Sequence, residues 1–224
     1  MTTELDDHDL REPLLAAFLG NVVFDGWSDV SLAAAAKTVG VSPEMARNAF
    51  PGGLLEVAEF FSARADRDMA ARLAETDMAG LRIRDRIVLG VRTRIEVLIP
   101  DREAVRALVG FLARPGHQAA SAACMWRTAS EIWYAAGDAS ADFNYYTKRG
   151  SLVPVYGATV LYWLADDSEG YSDTWDFLGR RVDEVVQMIM LRMRAEKAVK
   201  EFSPARFFEA FRAKGFTRRT GRYS

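Results

Sequence analysis

Cysteine and histidine are nearly absent from this sequence. It has one cysteine, Cys124, and two histidines, His8 and His117, so no internal disulfide can close and no CxxC, HExxH or mixed His and Cys zinc spacing exists. The dinucleotide fingerprint GxGxxG, the phosphate loop GxxxxGK followed by Ser or Thr, and the nucleophile elbow GxSxG are missing too. No catalytic constellation is visible, and the chain is not expected to be an enzyme or to carry a cofactor. Cys124 lies in AASAACMW with Arg127 as its only nearby cation and reads as a buried structural thiol. His117 follows the turn Arg114-Pro115-Gly116 and reads as a helix-start or surface residue. Long apolar runs are lacking: the stretch from Leu14 to Phe24 falls short of the roughly 20 apolar residues of a membrane span. The start, MTTELDDHDL, has neither an apolar signal core nor a basic, acid-poor character, which fits a cytoplasmic chain or a mature organelle protein. Neither charge dominates, with 29 Lys and Arg against 31 Asp and Glu, so an overall basic polymer binder is excluded.

What is present is enough apolar surface for a sizeable core, 50% of 224 residues. Apolar residues recur at three and four between Pro, Gly and Asp breaks, which predicts an all-α protein. Helices are expected near 10–24, 31–39, 43–49, 53–75, 81–98, 101–113, 117–136, 144–165, 171–198 and 204–214, about ten in all. Pro100 and Asp101 end one helix and begin the next, and Ser203 before Pro204 supplies an N-cap and a first-turn proline. Charge is segregated: residues 1–80 carry a net of minus eight and residues 189–224 a net of plus seven.

The segment SLAAAAKTVGVSPEMARNAF resembles a helix-turn-helix. Ala36 is small where two helices would cross, Gly40 permits the turn, and Val41 and Ala46 would point inward. With a helix on either side, the arrangement looks like the start of a TetR-type regulator. Duplex binding draws on roughly six to ten phosphate contacts. From Asp25 to Phe61 there are only two basic residues, Lys37 and Arg47, against five acidic ones. A retained scaffold is therefore expected, with no nucleic-acid partner. Three parts are expected: a helix-turn-helix-like part over 1–52, a helical body over 53–200 and an amphipathic tail over 201–224.

Trp133, Gly137-Asp138, Ser140, Asp142-Phe143-Asn144, Tyr146-Thr147 and Arg149 form an ordered run, continued by Asp167-Ser168, Thr174-Trp175, Phe177-Leu178 and Arg181. Upstream, Gly26-Trp27 and Leu98-Ile99-Pro100 agree in place. This pattern resembles the Coq-nine family of ubiquinone-biosynthesis accessory proteins over roughly residues 10 to 190. The resemblance implies a TetR-like fold without DNA-binding duty, an apolar cavity for an isoprenoid quinone precursor or phospholipid, and a di-iron demethoxyubiquinone hydroxylase as partner. By position it assigns docking of that hydroxylase to Asp142, Tyr145, Tyr146 and Arg149. Tyr145 stands where some members have Trp, and Pro154 departs from the small-residue pattern and should kink its helix. Taken as chemistry alone, Asp138, Ser140, Asp142 and Asn144 suit helix capping. Adjacent Tyr145 and Tyr146 lie about 100° apart on a helix, so at least one should face solvent. Tyr156, Val160, Leu161 and Leu164 form a stripe, with Met125, Ile132 and Trp133 facing it from the preceding helix. Such a stripe is ordinary core, and the resemblance makes it a lipid-pocket wall.

The late helix VDEVVQMIMLRMRAEKAV is where TetR architectures form homodimers, and Met188, Met190 and Met193 suit an adaptable apolar contact. In the closing segment Phe207, Phe208 and Phe211 share one helical sector flanked by Arg212 and Lys214, with Arg218, Arg219 and Arg222 beyond. Aromatics with basic flanks describe an interfacial helix on anionic lipid, and packing back on the body is the other reading. Together these readings describe a lipid carrier peripheral to a bacterial inner membrane, or to its mitochondrial matrix-side counterpart. The alternative is a TetR-type regulator sensing an apolar ligand.

Overall fold

A computed structural model describes the backbone of residues 7–138 and 143–201, and the order of elements is helical throughout that range. The helices are α1 (Asp7–Asp25), α2 (Asp29–Val39), α3 (Pro43–Ala49), α4 (Gly53–Ala74), α5 (Ile83–Glu96), α6 (Arg102–Leu112), α7 (Gln118–Ala135), α8 (Phe143–Ala165) and α9 (Ser172–Glu201). Single 3-10 turns at Ile99–Asp101 and Glu169–Tyr171 precede α6 and α9. The expected all-α fold is thus present, with each expected helix up to residue 198 matched to within a few residues. The expected helix over 204–214 lies outside the described residues. Among the described residues no helix is long and apolar enough to cross a membrane.

The ends of the helices explain the small differences. α2 begins two residues earlier than its apolar pattern because Ser28, in extended geometry, caps it by accepting from the Ser31 N–H. α5 begins two residues late because Arg82 stays extended as its cap residue. Ser42 caps α3, Pro43 opens it, and Gly40 closes α2 in the left-handed region at φ 80°, where a Cβ would be strained. α8 continues through Pro154 as one helix, although the proline removes one backbone donor.

The first compact unit runs to Val182 and the second from Asp183 onward. Within the first unit, α1 packs on α2, α3 and α6. Trp27 joins this layer to the rest: its ring meets Phe18 edge-on at 4.9 Å and lies 6.1 Å from both Phe61 and Phe111, while its indole N–H donates to the Leu54 carbonyl at 3.1 Å. Behind it, α4, α5, α6 and α8 all pack on α7. In the second unit, Met188 and Leu191 on α9 are exposed at 61% and 68%. The side chains of Met190 and Met193 lie outside the described residues.

Candidate functional site: an apolar cavity with a buried ion cluster

The inward faces of α4 to α8 do not close on one another. They leave a cavity of about 280 Å³, at the small end of the range that holds organic ligands. Ala58 and Phe61 line it from α4, Leu108 and Val105 from α6, and Met125 and Cys124 from α7. From α8 come Tyr156, Gly157, Val160 and Leu161, with Arg94 on α5 and Leu98 just after it. Of the six residues assigned to a lipid pocket from the sequence, Met125, Tyr156, Val160 and Leu161 line this cavity. Trp133 and Leu164 do not. Trp133 is buried nearer the end of α7, where its indole N–H donates to the Lys148 carbonyl at 3.1 Å. Leu164 is buried at the end of α8, and its carbonyl accepts from Arg102 and Arg106.

The wall is not wholly apolar. Asp66, on the buried face of α4, accepts from Arg94 Nε at 2.7 Å, from Thr128 Oγ1 at 2.7 Å and from Arg127 Nε at 3.0 Å. Arg94 also donates through Nη2 to the Ser62 carbonyl at 3.2 Å and lies 5.9 Å over the Tyr156 ring. Its position depends on a close helix crossing one turn earlier: a Cβ on Gly90 would meet Ile132 Cγ2 at 2.8 Å, so α5 approaches α7 as closely as it does only with glycine there. Burial pushes the Tyr156 phenol and the Cys124 thiol upward, so both are neutral at neutral pH. Cys124 is buried, as its apolar setting predicts. The sequence reading missed Asp66, Arg94 and Thr128. The available signal was opposite charge on two inward stripes, Asp66 beside Phe61, Ala65 and Met69, and Arg94 beside Val91 and Ile95.

The residues assigned to partner docking separate into different environments. Tyr146 is 64% exposed; its ring meets Tyr145 edge-on at 5.1 Å and lies tilted to Trp126 at 6.2 Å. Tyr145 is half-buried beneath the Arg149 guanidinium, 3.5 Å from its ring centroid. Arg149 itself is only 4% exposed and pairs with Asp138 Oδ2 at 3.2 Å, so it holds Tyr145 and the end of α7 rather than presenting its own charge. Lys148 reaches the other oxygen of Asp138 at 2.6 Å, and Asp138 is therefore an ion-pair partner of α8. Asp142 lies outside the described residues, as do Phe207, Phe208, Phe211, Arg212 and Lys214. His117 sits at the start of α7, its Nδ1 2.8 Å from the Phe111 carbonyl. Among the described residues no cluster of three His, Cys, Asp or Glu could hold a metal ion.

A second polar cluster orders the entry to α9. Asp166 accepts from the Ser168 N–H at 2.8 Å and from the Thr174 N–H and hydroxyl at 2.9 and 2.5 Å. Burial opposes ionisation of this carboxyl, but the donors from Ser168 and Thr174 outweigh it and pull its pKa down to about 2.

This assembly, three N-terminal helices packed on a helical body that encloses a cavity, is the TetR-like architecture. It is similar to the crystal structure of the TetR transcriptional regulator from Nitrosomonas europaea ATCC 19718, with a TM-score of 0.65 over 80% of this chain and 98% of that chain. At 22% identity this likeness concerns the fold alone. Residues 118–189 match the COQ9 family. The chain is also 30% identical over 191 residues to "Ubiquinone biosynthesis protein COQ9, mitochondrial" from Drosophila melanogaster, covering 84% of this chain and 58% of that protein. To the Homo sapiens protein of the same name it is 29% identical over 188 residues, covering 81% and 59%. The chain thus spans less than two thirds of the length of these relatives. The resemblance drawn from Trp133 to Arg181 is borne out: this chain is similar to the COQ9 proteins.

Proposed function

We propose that this chain is a non-catalytic accessory protein of ubiquinone biosynthesis that binds isoprenoid quinone intermediates and presents them to the demethoxyubiquinone hydroxylase. The observation that carries the reading is the apolar cavity of about 280 Å³ within a COQ9-like sequence. An apolar ligand in such a site is stabilised by roughly 25 cal/mol for each Å² removed from water, without any reactive group. The hydroxylase docks on the exposed Tyr146 with Tyr145 behind it, Arg149 holding Tyr145 in place. Phe207, Phe208, Phe211, Arg212 and Lys214 hold the protein against the cytoplasmic face of a bacterial inner membrane, or its matrix-side equivalent. A homodimer forms through the apolar residues of α9, of which Met188 and Leu191 are exposed.

The experiment is mass spectrometry of the organic extract from protein purified without detergent. An isoprenoid quinone or phospholipid bound in stoichiometric amount is the expected result. Protein that stays empty after incubation with quinone precursors would sink the proposal.

A further inference from the structure

The cavity wall is graded. Its buried part carries the polar groups: Arg94, Ser62, Thr128 and Tyr156 are each no more than 8% exposed. Its outer part is apolar, with Leu161 57% exposed and Ala113 also exposed. An apolar pocket for a plain hydrocarbon has no use for donors at its floor, because each buried donor left without an acceptor costs stability.

One such donor is present. The Arg94 side chain is 3% exposed, and its Nε and Nη2 are spent on Asp66 and Ser62. Its Nη1 is buried and meets no acceptor among the described residues. Arg102 Nε, Arg149 Nε and Trp163 Nε1 are also buried without an acceptor, but none of those side chains lines the cavity. Charge points the same way. Asp66 is a single carboxylate shared by two guanidiniums, so the cluster holds one positive charge in excess. Arg127 is the more exposed of the two at 36%, and water screens it, which leaves Arg94 as the cation facing the low-dielectric interior.

We propose that Arg94 is the head-group anchor of the cavity: Nη1 donates to an oxygen of a ligand that enters polar end first, while its apolar chain runs out past Leu161. The inference rests on the cavity being a lipid site. The ligand class it names is an apolar chain ending in an oxygen acceptor, and a cationic or oxygen-free head is excluded. A cavity of this size holds a ring and the first part of a chain, so the remainder of a long tail lies outside the rim. A neutral ring carbonyl and a carboxylate share this chemistry.

Three probes separate the possibilities on the full-length protein: geranyl-1,4-benzoquinone, palmitic acid and geranylbenzene, titrated by calorimetry. The wild type should prefer at least one oxygen-bearing probe over geranylbenzene by tenfold or more, the scale of a hydrogen bond from a charged donor. Whichever oxygen-bearing probe binds more tightly identifies the head. Arg94→Lys keeps a cation beside Asp66 but loses the fork, so it should bind geranylbenzene as the wild type does while the preference falls to about twofold or less. The double variant Asp66→Asn, Arg94→Gln removes both charges together and should lose the preference too, which keeps the test decisive if the lysine variant fails to fold. Equal affinity of the wild type for all three probes overturns the anchor but leaves a lipid site, as does a preference that survives in both variants. Failure of every probe to bind the wild type overturns the lipid site itself.

Discussion

Two arginine and carboxylate pairs show how differently the two ends of this architecture use charge. On α3, where a DNA reader would present its cations, Arg47 is tied to Glu44 at 2.9 Å with both side chains about two-thirds exposed. In the body, Arg94 is tied to Asp66 at 2.7 Å with both side chains nearly sealed from solvent. The first pair neutralises a surface, and the second places a fixed charge beside a cavity. The helix-turn-helix shape persists because it depends on buried and turn residues such as Ala36, Gly40 and Ala46. Its exposed face is free to lose a binding chemistry without disturbing those contacts. In the body the chemistry lies on inward faces, where it is coupled to packing.

The largest effect that would break this contrast is on stability. Asp66→Ala leaves Arg94 buried without its counter-charge and should cost about 3–5 kcal/mol, the scale for breaking one partner of a buried pair. For a chain of this size the melting temperature should fall on the order of 10 °C. Glu44→Ala removes an exposed carboxylate whose ion pair is screened by water, and should leave the melting temperature close to that of the wild type. Thermal melts of the two variants side by side measure the difference. Similar losses in both would mean that burial does not separate the pairs.

A smaller effect comes from how helix entries are held. α2 and α3 are capped by the hydroxyls of Ser28 and Ser42, which do not titrate in the acid range. The entry to α9 is held by the Asp166 carboxylate, whose pKa is lowered to about 2 in the folded protein against an ordinary value of 3.8. A depressed folded-state pKa stabilises the fold above the unfolded value and is lost as pH falls through the folded one. Asp166 should therefore contribute fully above about pH 4 and progressively less down to about pH 2. Replacing it by Asn should flatten this part of the stability profile, read as chemical denaturation midpoints at successive pH values. An unchanged acid limb in Asp166→Asn would assign the loss to other carboxyls.

The helices were legible because their signals are local: a three-and-four apolar repeat, Gly40 at a turn and Pro100-Asp101 between two helices, whereas the Ser28 cap that starts α2 two residues early was not part of that pattern. The COQ9 likeness was legible because it rests on an ordered run of residue types. Most of the cavity wall was not, because it is assembled from helices far apart in sequence. The stripe on α8 gave Tyr156, Val160 and Leu161, but a stripe does not reveal where it stops facing a void, and Leu164 one turn on is packed instead. The resemblance assigns Arg149 to docking by its place in the motif, and the motif does not tell whether its guanidinium faces out. The Asp138 carboxylate 11 residues earlier draws it inward, a pairing visible only once α7 and α8 are set side by side.

The smallest effect is an expected absence. Duplex binding gains most of its affinity from releasing counterions at roughly six to ten phosphates. The exposed positions of α3 are Pro43, Glu44, Met45, Arg47 and Asn48, and their one cation is already paired within the helix. Glu44 takes up a proton less readily than an ordinary glutamate, first because of a backbone hydrogen bond at the helix start and then because of Ser42, so it stays ionised beside Arg47 at neutral pH. Low-salt gel shifts on random and genomic duplexes should show no salt-sensitive, sequence-selective complex. Glu44→Gln releases Arg47, yet one cation cannot replace a set of phosphate contacts, and this variant should not bind either. A selective complex with the wild type would return the chain to the regulator class. Binding gained by Glu44→Gln alone would show that a single carboxylate had been masking a surface otherwise fit for DNA.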